Sequence, residues 1–349
     1  MARNLLSICI PTYNFAAFIG QTLDSIAPNI LAGVEVIVLD GGSTDDTAAV
    51  VADRQRRHPQ IKYHRQEFRG GIDRDIAKVV DLAEGEYCWL FSADDIMKPG
   101  AVRSVLDHIK SGCDIYMCEH MKCDFQMHPI STYPIFNRIR APEVFNLGDA
   151  VQRARYFNEA RTTEAFFSFL SCPIFRKDLW EKGGRIPESF YGTNWALAGR
   201  LMSLIPEGIT VHYLAKPLLD KRDCNDSFLE HGQVNRLRIA VEGFPHIAET
   251  IFGPDAEETL HVRRVIRNEY TIRLILFIKR AAVMNPQVEN FEKLKQIVAK
   301  HYLNAGMINR CKYWVFVLTP VSLLRRLGWF KRIVTSKEAV YAERSGRVR

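Results

Sequence analysis

Two adjacent carboxylates, Asp94 and Asp95, follow a short apolar run, Tyr87–Phe91, that is typical of a buried strand. Neighbouring acids in such a place are unfavourable unless something positive binds them. Mg²⁺ or Mn²⁺ is the natural partner, because these ions are held by one or two carboxylates together with the phosphates of a substrate. A structural alternative is that an Asp shortly before Pro99 caps the following helix. The pair therefore indicates either a divalent-metal site or a helix cap.

A third carboxylate, Asp40, ends another apolar run, Val34–Leu39, and precedes Gly41 and Gly42. Glycines let a ligand approach the backbone closely, and a carboxylate at this point can accept hydrogen bonds from a ribose or a base. Arg74 opens a predicted helix, where an arginine suits a diphosphate. The alternatives are that Asp40 caps the next helix and that Arg74 forms a surface ion pair with a neighbouring Asp.

The elements that position these residues alternate between strand and helix patterns. Apolar runs predict three buried strands, Leu5–Pro11, Val34–Leu39 and Tyr87–Phe91, and Ile61–Arg65 is interpreted as a further, weaker strand. Helical spacing predicts helices at Phe15–Ile26, Asp46–Arg57 (with Ser43 and Asp46 as a capping box), Asp73–Glu84 and Pro99–Ser111. This alternation predicts an α/β fold with a mostly parallel sheet covered by helices on both faces. Ligands bind beyond the carboxyl ends of such strands, where Tyr13, Asp40 and Asp94 fall.

The second half of the chain is less regular. Residues 126–160 have no clear pattern, Phe166–Phe175 and Val211–Leu219 resume strand character, and the chain from about Gln233 onward is helical and rich in Arg. Tyr313–Leu324 is an uncharged run, too short to span a bilayer, beside a basic tail. It predicts an element lying on an anionic membrane surface, with a core helix as the alternative.

Composition bounds the class of protein. Of the 349 residues, 47% are hydrophobic and 25% are charged, which excludes a disordered or collagen-like chain. The net charge is +7, but residues 325–349 contain eight Lys or Arg and two Glu, so that this tail alone carries +6 and the rest about +1. The charge distribution therefore does not predict a uniformly basic surface, and we expect no nucleic-acid partner.

The eight cysteines include no CxxC pair. Cys113, Cys118 and Cys123 are spaced more widely than usual zinc ligands, so we expect mostly buried, reduced thiols, with a metal site as the alternative. The N-terminal residues contain no secretory apolar region. Both features predict a cytoplasmic protein.

Common phosphate cradles and hydrolase motifs are missing from the sequence. It contains neither GxGxxG nor GxxxxGK[ST], which argues against a dehydrogenase or a P-loop NTPase. It also lacks GxSxG and HExxH, which argues against two hydrolase classes. A metal-bridged nucleoside diphosphate held by carboxylates is the remaining interpretation.

Three blocks of the sequence resemble family 2 glycosyltransferases of the GT-A fold: Ser7–Asn14 (SICIPTYN), Val34–Thr47 (VEVIVLDGGSTDDT) and Gly85–Asp95 (GEYCWLFSADD). Three later segments are similar to the abequosyltransferase-like branch used in O-antigen assembly: Phe166–Ser171, Gly192–Trp195 and Arg222–Phe228. The resemblance implies a GT-A domain over residues 1–230, with a nucleotide-binding half at 1–125 and an acceptor half at 126–230. It leaves residues 231–349 as a helical, basic C-terminal region, for which membrane association is the expectation.

The resemblance also implies roles for single residues. Pro11, Tyr13 and Asp40 would line the base and ribose pocket, with Arg74 near the nucleotide.

Asp94 would contact the ribose and join Asp95 in holding Mg²⁺ or Mn²⁺, in the position of the family's DxD motif. Ser92 stands where the first Asp of that motif often lies, which implies a weaker or differently shaped metal site. Arg222 matches a late basic residue that neutralises the leaving diphosphate.

The sequence departs from the family at the general base. The family usually places an acidic pair at a helix start that here reads Thr193-Asn194-Trp195, and an amide cannot take a proton from a sugar hydroxyl at neutral pH. Glu164 and Glu188 are the nearest acidic candidates, and the sequence does not choose between them.

The expected function is that of an inverting glycosyltransferase acting on a nucleotide-sugar donor and a lipid-linked or free saccharide acceptor, peripheral on the inner face of the cell membrane. The competing hypothesis is a non-catalytic nucleotide-sugar-binding or scaffolding member of the same fold, favoured by the missing acid. A nucleotidyltransferase would need a Gly-rich basic loop after the first strand, and Thr12-Tyr13-Asn14-Phe15 does not supply one.

Overall fold

A computed structural model describes residues 4–182, 190–223, 225 and 231–326. Their strands belong to a ten-stranded sheet with the order β3-β2-β1-β4-β9-β6-β10-β5, in which β7 pairs with β6 and β8 with β10. The strands are β1 Leu6–Thr12, β2 Val34–Asp40, β3 Ile61–Arg65, β4 Tyr87–Leu90, β5 Ile96–Met97, β6 Ile115–Cys123, β7 Pro129–Tyr133, β8 Glu143–Asn146, β9 Pro173–Arg176 and β10 Thr210–Arg222.

Helices flank this sheet and continue beyond it. They are α1 Ala16–Ile26, α2 Thr47–Arg57, α3 Ile72–Asp81, α4 Ala101–Ile109, α5 Ala150–Glu159, α6 Lys177–Lys182, α7 Ala196–Met202, α8 Gln233–Arg238, α9 Phe244–Phe252, α10 Glu257–Glu269, α11 Ile272–Met284, α12 Phe291–Tyr302, α13 Met307–Leu318 and α14 Val321–Arg326. A 3-10 turn at Thr163–Phe166 and a π-turn at Ile239–Gly243 also matter for the site.

The four strands predicted for the first half are confirmed, and β3, β2, β1 and β4 are all parallel. Every residue of β1 and β2 is buried, because helices cover both faces, which is why these strands are mostly apolar in sequence. Beyond β4 the sheet is mixed. There β9 runs antiparallel to both β4 and β6, whereas β6 and β10 are parallel.

Three local expectations were wrong. Residues 126–160 contain β7, β8 and α5; the first four residues of β7 are exposed, so no apolar pattern marks it. The strand expected at Phe166–Phe175 is only β9, because Phe166 ends a 3-10 turn. The capping box before α2 does not form. The Ser43 hydroxyl instead accepts the N–H of Asn14 (2.8 Å), and Asp45 accepts the N–H of Thr47 (3.0 Å).

The helices after residue 232 share an apolar core with the second half of the sheet. Phe157, Phe166, Val265 and Ile278 all belong to that core, so α10 and α11 form one wall of the region beyond β6 and β10. The helices that the structure describes include none long and apolar enough to cross a bilayer.

Seven cysteines lie in the described residues, and all are free thiols. Six of them are buried and only Cys311 is exposed, as expected for a chain of reduced, mostly buried cysteines. Cys224 lies outside the described residues.

Candidate active site

A cleft of about 550 Å³ opens beyond the carboxyl ends of β1 and β4. Its wall comes from the nucleotide half predicted by the sequence, from β6 and β10, and from the C-terminal helices. Seven of the predicted site residues line it: Pro11, Tyr13, Ser92, Asp94, Asp95, Glu164 and Arg222.

Asp94 and Asp95 are held in the cleft by neutral hydrogen-bond donors. The Asp94 carboxylate accepts from the Ser92 hydroxyl and from the Asn225 side-chain amide at 2.6 Å. The Asp95 carboxylate accepts from the Ser171 hydroxyl at 2.9 Å and from the backbone N–H of Arg222 at 3.2 Å. Within the described part of the chain, no Lys or Arg side chain forms an ion pair with either carboxylate.

Burial raises the pKa of both aspartates above its ordinary value, although hydrogen bonds to Asp94 partly offset this. The pKa of Asp95 is raised further by the negative charge of Asp94, against the lowering effect of nearby Lys221. Two buried carboxylates that repel one another favour any cation that binds both.

This pair fits a divalent ion that a substrate helps to hold. Among the described residues, the side-chain and backbone donors named above give one hydrogen bond to each of the four carboxylate oxygens, and a carboxylate oxygen has a second lone pair that can bind a cation. No group of three or more His, Cys, Asp or Glu ligands is assembled among the described residues, Cys113, Cys118 and Cys123 included. Two carboxylates completed by substrate phosphates are the pattern typical of Mg²⁺.

Arg222 lies beside the aspartate pair and is itself buried. Its Nε donates to the backbone carbonyl of Asp94 at 3.1 Å, and its Nη2 donates to the side-chain oxygen of Gln21 at 2.8 Å. These bonds fix the guanidinium in the cleft wall, with Lys221 as a second cation next to it.

The cation that lies over Tyr13 of the predicted base pocket is Arg69 rather than Arg74. The Arg69 guanidinium lies 4.2 Å from the centre of the Tyr13 ring, and both side chains line the cleft. Arg74 is exposed and lines a separate, smaller pocket with Tyr191 and Asn194. Asp73 forms no ion pair with Arg74. Its carboxylate accepts three backbone N–H groups from residues 192–196.

Asp40 lies at the carboxyl end of β2, as Asp94 follows the carboxyl end of β4, but Asp40 does not line the cleft. Its carboxylate is fully buried and accepts from the Tyr63 hydroxyl and the Ser43 N–H, both at 2.7 Å. The approach expected at Gly41 is made by a protein side chain: a Cβ there would lie 2.7 Å from the Asp75 carboxylate. Asp75, which the sequence reading missed, lines the cleft in front of it.

The two candidate bases fare differently. Glu164 is 5% exposed and lines the cleft. Glu188 lies outside the described residues, so its role stays a prediction. Asn194, at the position where the family places an acid, lines the cleft in a left-handed conformation (φ 67°).

Several further residues line the cleft that sequence reasoning did not select: Arg69, Asp75, His120, Lys122, Tyr133, Lys221, Asn225 and Glu269. Lys221 and Asn225 lie close to Arg222 in sequence, which was a usable signal. Glu269 ends α10, far along the chain, and only the packing of α10 against residues 163–166 brings it to the cleft.

Residues 7–181 match the family model described as glycosyl transferase family 2, which is half of the chain, and the protein belongs to that family. The fold is that of the GT-A glycosyltransferases, and the protein is a glycosyltransferase.

Two curated relatives are informative. Abequosyltransferase RfbV of Salmonella typhimurium is 27% identical over 87% of this chain and 92% of its own length. A GalNAc(5)-diNAcBac-PP-undecaprenol beta-1,3-glucosyltransferase of Campylobacter jejuni is 26% identical over 55% of this chain and 58% of its own length.

Two solved structures share the fold. The crystal structure of residues 1–349 of S. aureus TarS in complex with UDP-GlcNAc has a TM-score of 0.56 and 16% identity, covering 89% of each chain. The mannosyltransferase PcManGT of Pyrobaculum calidifontis, in complex with GDP-Man and Mn²⁺, has a TM-score of 0.52 and 16% identity, covering 98% of this chain and 86% of the other.

Proposed function

We propose that the protein is an inverting glycosyltransferase that moves a sugar from a nucleotide-diphosphate sugar to a saccharide acceptor in the synthesis of a cell-surface polysaccharide. The observation that carries this proposal is the single cleft in which the buried Asp94–Asp95 pair, the fixed cation Arg222 and the carboxylate of Glu164 all lie. The first two suit a nucleoside diphosphate, and the third suits an acceptor hydroxyl.

On the donor side, the Tyr13 ring with Arg69 above it offers a flat surface for the nucleotide, while Asp94 accepts hydrogen bonds from the ribose. A divalent ion held at Asp94 and Asp95 supplies positive charge to the diphosphate. The names of the TarS and PcManGT complexes, with UDP-GlcNAc and with GDP-Man and Mn²⁺, support this class of donor and ion.

Arg222 and Lys221 stabilise the negative charge that builds up on the departing diphosphate. Arg222 lies beside Asp94 at the carboxyl end of β10, which supports this role. The acceptor oxygen then attacks the anomeric carbon from the opposite side, through an oxocarbenium-like transition state. Inversion follows because one displacement occurs and no covalent enzyme intermediate forms.

The proposed acceptor is a lipid-linked saccharide, as in the name of the Campylobacter jejuni relative. The proposed location is the inner face of the cell membrane. The surface of α13 supports this, because its exposed side chains include six that recur at helical spacing: Met307, Ile308, Cys311, Trp314, Val315 and Leu318.

This face of α13 is held in place from behind. The buried Lys279 amine on α11 donates to the carbonyls of Phe316 and Thr319, the latter at 2.8 Å, and so caps the end of α13. Arg310 is exposed on the same helix, and residues 325–349 carry a net charge of +6. An apolar face in a segment that is followed in the sequence by such basic charge suits an anionic membrane.

Vesicle flotation tests the membrane surface. We expect the Trp314→Ser, Leu318→Ser double variant to lose binding to phosphatidylglycerol vesicles by at least tenfold. Val151→Ser, which removes an equally exposed apolar side chain from α5, is the matched control and keeps binding. Equal binding of both variants contradicts the membrane assignment.

Product analysis tests the enzymatic proposal. The purified protein is incubated with a panel of nucleotide sugars and with membrane lipid extracts that carry oligosaccharides, and the anomeric configuration of the product is read by NMR. We expect transfer with inversion. A protein that binds nucleotide sugars but neither transfers nor hydrolyses them supports instead the non-catalytic function, which Asn194 favours.

A further inference from the structure

Two glutamates from distant parts of the chain share the acceptor side of the cleft. Glu164 lies in the 3-10 turn Thr163–Phe166, and Glu269 is the last residue of α10. Both line the cleft. Burial raises the pKa of their shared neighbour Tyr133, and the charges of Glu164 and Glu269 raise it further.

Glu164 carries a buried oxygen without a partner. The residue is 5% exposed, and its Oε2 makes no hydrogen bond in the described structure. A buried carboxylate oxygen left unpaired is unfavourable, because it has lost its hydrogen bonds to water without replacing them. Such an oxygen persists where a ligand or a proton completes its surroundings.

Glu269 is anchored through hydrogen bonds to its Oε1. Its Oε1 accepts from the N–H of Thr163 at 3.1 Å and from the hydroxyl of Tyr133 at 3.3 Å, and neither of these bonds involves Oε2. The anchoring bonds come from β7 and from the turn that carries Glu164. They therefore fix the Glu269 carboxylate relative to its acidic neighbour.

Burial, and next the negative charge of Glu164, raise the pKa of Glu269 to about 7, although its hydrogen bonds to Thr163 and Tyr133 lower it. The titratable groups that act on it from packed elements are Glu164 and Tyr133. A general base is most effective when its pKa is near the working pH.

Other groups in this part of the cleft do not suit the role. Burial lowers the pKa of His120 far below its ordinary value, with Lys221 and Lys122 adding to the effect, and its ring is stacked on Tyr133. Asn194 has no basic atom at neutral pH. Asp75 lies on the nucleotide side, where it accepts a hydrogen bond from Gln66.

We propose, on the basis of the glycosyl transfer proposed above, that Glu269 is the general base that takes the proton of the acceptor hydroxyl and that Glu164 is the positioning residue whose charge tunes it. The acceptor O–H bond breaks as its proton moves to Oε2 of Glu269. The oxygen then bonds to the anomeric carbon, and the bond from that carbon to the diphosphate breaks with its electron pair leaving on the nucleoside diphosphate.

The proposal places the base outside residues 7–181, the segment that matches the family model, on a helix of the C-terminal region. It accounts for a catalytic glycosyltransferase whose segment Thr193-Asn194-Trp195 carries no acid. The C-terminal helices are then part of the active site as well as a wall of the fold.

The test uses the full chain and the nucleotide sugar that the wild type consumes fastest in a panel of UDP-, GDP-, CDP- and dTDP-sugars. We expect Glu269→Gln to lower transfer to a hydroxyl acceptor by about 10²- to 10⁴-fold, with nucleoside-diphosphate binding within twofold of wild type. Glu257→Gln, on the exposed side of the same helix, is the matched control and keeps wild-type transfer.

Azide separates a base from a structural residue, since azide attacks the anomeric carbon without losing a proton. We expect Glu269→Gln to form the glycosyl azide at the wild-type rate. In Glu164→Gln, we expect the acidic limb of the pH profile of kcat to move to lower pH, because the charge that raises the pKa of Glu269 is gone.

Three outcomes overturn the proposal. Full hydroxyl transfer by Glu269→Gln, or a loss of its azide reaction equal to its loss of hydroxyl transfer, removes Glu269 as the base. An unmoved pH profile in Glu164→Gln removes the tuning role. A wild type that reacts with no donor, with or without azide, contradicts the proposed function itself, which distinguishes that failure from the others.

Discussion

Glu35 and Asp95 are buried carboxylates of the same sheet, but they lie at its opposite ends and have opposite surroundings. Glu35, near the amino end of β2, accepts hydrogen bonds from the Lys62 ammonium at 2.7 Å, from the Ser7 hydroxyl and from the Glu84 N–H. Asp95, beyond the carboxyl end of β4, accepts only from a hydroxyl and a backbone N–H among the described residues.

The two pKa values move in opposite directions for this reason. Burial alone raises the pKa of Glu35, but the bonds from Lys62, Ser7 and Glu84 outweigh it and the net pKa is lowered. Burial raises the pKa of Asp95, and the charge of Asp94 raises it again. A buried acid with its own cation serves the fold, whereas a buried acid pair supplied only with neutral donors is suited to an external cation.

The largest expected effect is at Asp95, the buried carboxylate that has no cationic hydrogen-bond donor among the described residues. Asp95→Asn is expected to lower sugar transfer by about 10²- to 10³-fold, because it weakens the charge that stabilises the departing diphosphate. The same change is expected to leave the free energy of unfolding of the metal-free protein unchanged or raised, since it removes like-charge repulsion. Transfer assays and thermal unfolding check both; a variant that unfolds more easily than wild type would place Asp95 among the structural acids.

At Glu35, the carboxylate paired with Lys62, the change Glu35→Gln is expected to lower the free energy of unfolding by about 1–3 kcal/mol, because it weakens charge-assisted hydrogen bonds to a buried group. Transfer per folded molecule is expected to stay within twofold of wild type. Denaturant unfolding measures the first effect and initial rates the second. A loss of transfer as large as that of Asp95→Asn would contradict the conclusion that Glu35 serves the fold and not the reaction.

The stability contributed by Glu35 is expected to depend on pH with a definite sign. Its folded-state pKa is lowered below the ordinary value of about 4.5, so the contribution is present above that pH and is lost as pH falls through the lowered folded-state pKa. Unfolding of wild type and Glu35→Gln from pH 7 to pH 3 measures it. We expect the difference in free energy of unfolding between the two proteins to narrow toward pH 3. A difference that widens contradicts the stabilising role of the Glu35 carboxylate.

A smaller effect separates the two arginines near the nucleotide. Arg69→Met is expected to weaken nucleoside-diphosphate binding by about 3- to 10-fold, since it removes the cation above the Tyr13 ring. Arg74→Met, five residues further on, is the matched control and is expected to change binding by less than twofold. The reverse ranking, measured by calorimetry, would restore the role that the sequence gave to Arg74.

The parts predictable from sequence were those fixed by local pattern. The strands β1, β2 and β4 are mostly apolar in sequence because helices cover both faces, and the chain positions of Tyr13 and Asp94 at the strand ends followed from the parallel sheet. The exposed strand β7 left no such pattern. The domain division at residue 230 stays a prediction.

The missed parts of the site depend on how distant segments fold against one another. Arg69 rather than Arg74 faces Tyr13 because the chain turns at Gly71 (φ 86°) before α3 begins, and spacing alone does not show which side of that turn enters the cleft. Glu269 reaches the cleft only because α10 packs against the turn that holds Glu164. No short-range signal in the sequence marks that contact.

Calorimetric titration of nucleoside diphosphates, with and without Mn²⁺, tests most directly whether Asp94 and Asp95 hold a metal-bound donor. For wild type and Glu35→Gln, the account predicts that Mn²⁺ tightens binding of at least one nucleoside diphosphate by tenfold or more, and that Asp95→Asn abolishes this gain. Binding by wild type that is indifferent to Mn²⁺, or an equal gain in Asp95→Asn, would contradict it.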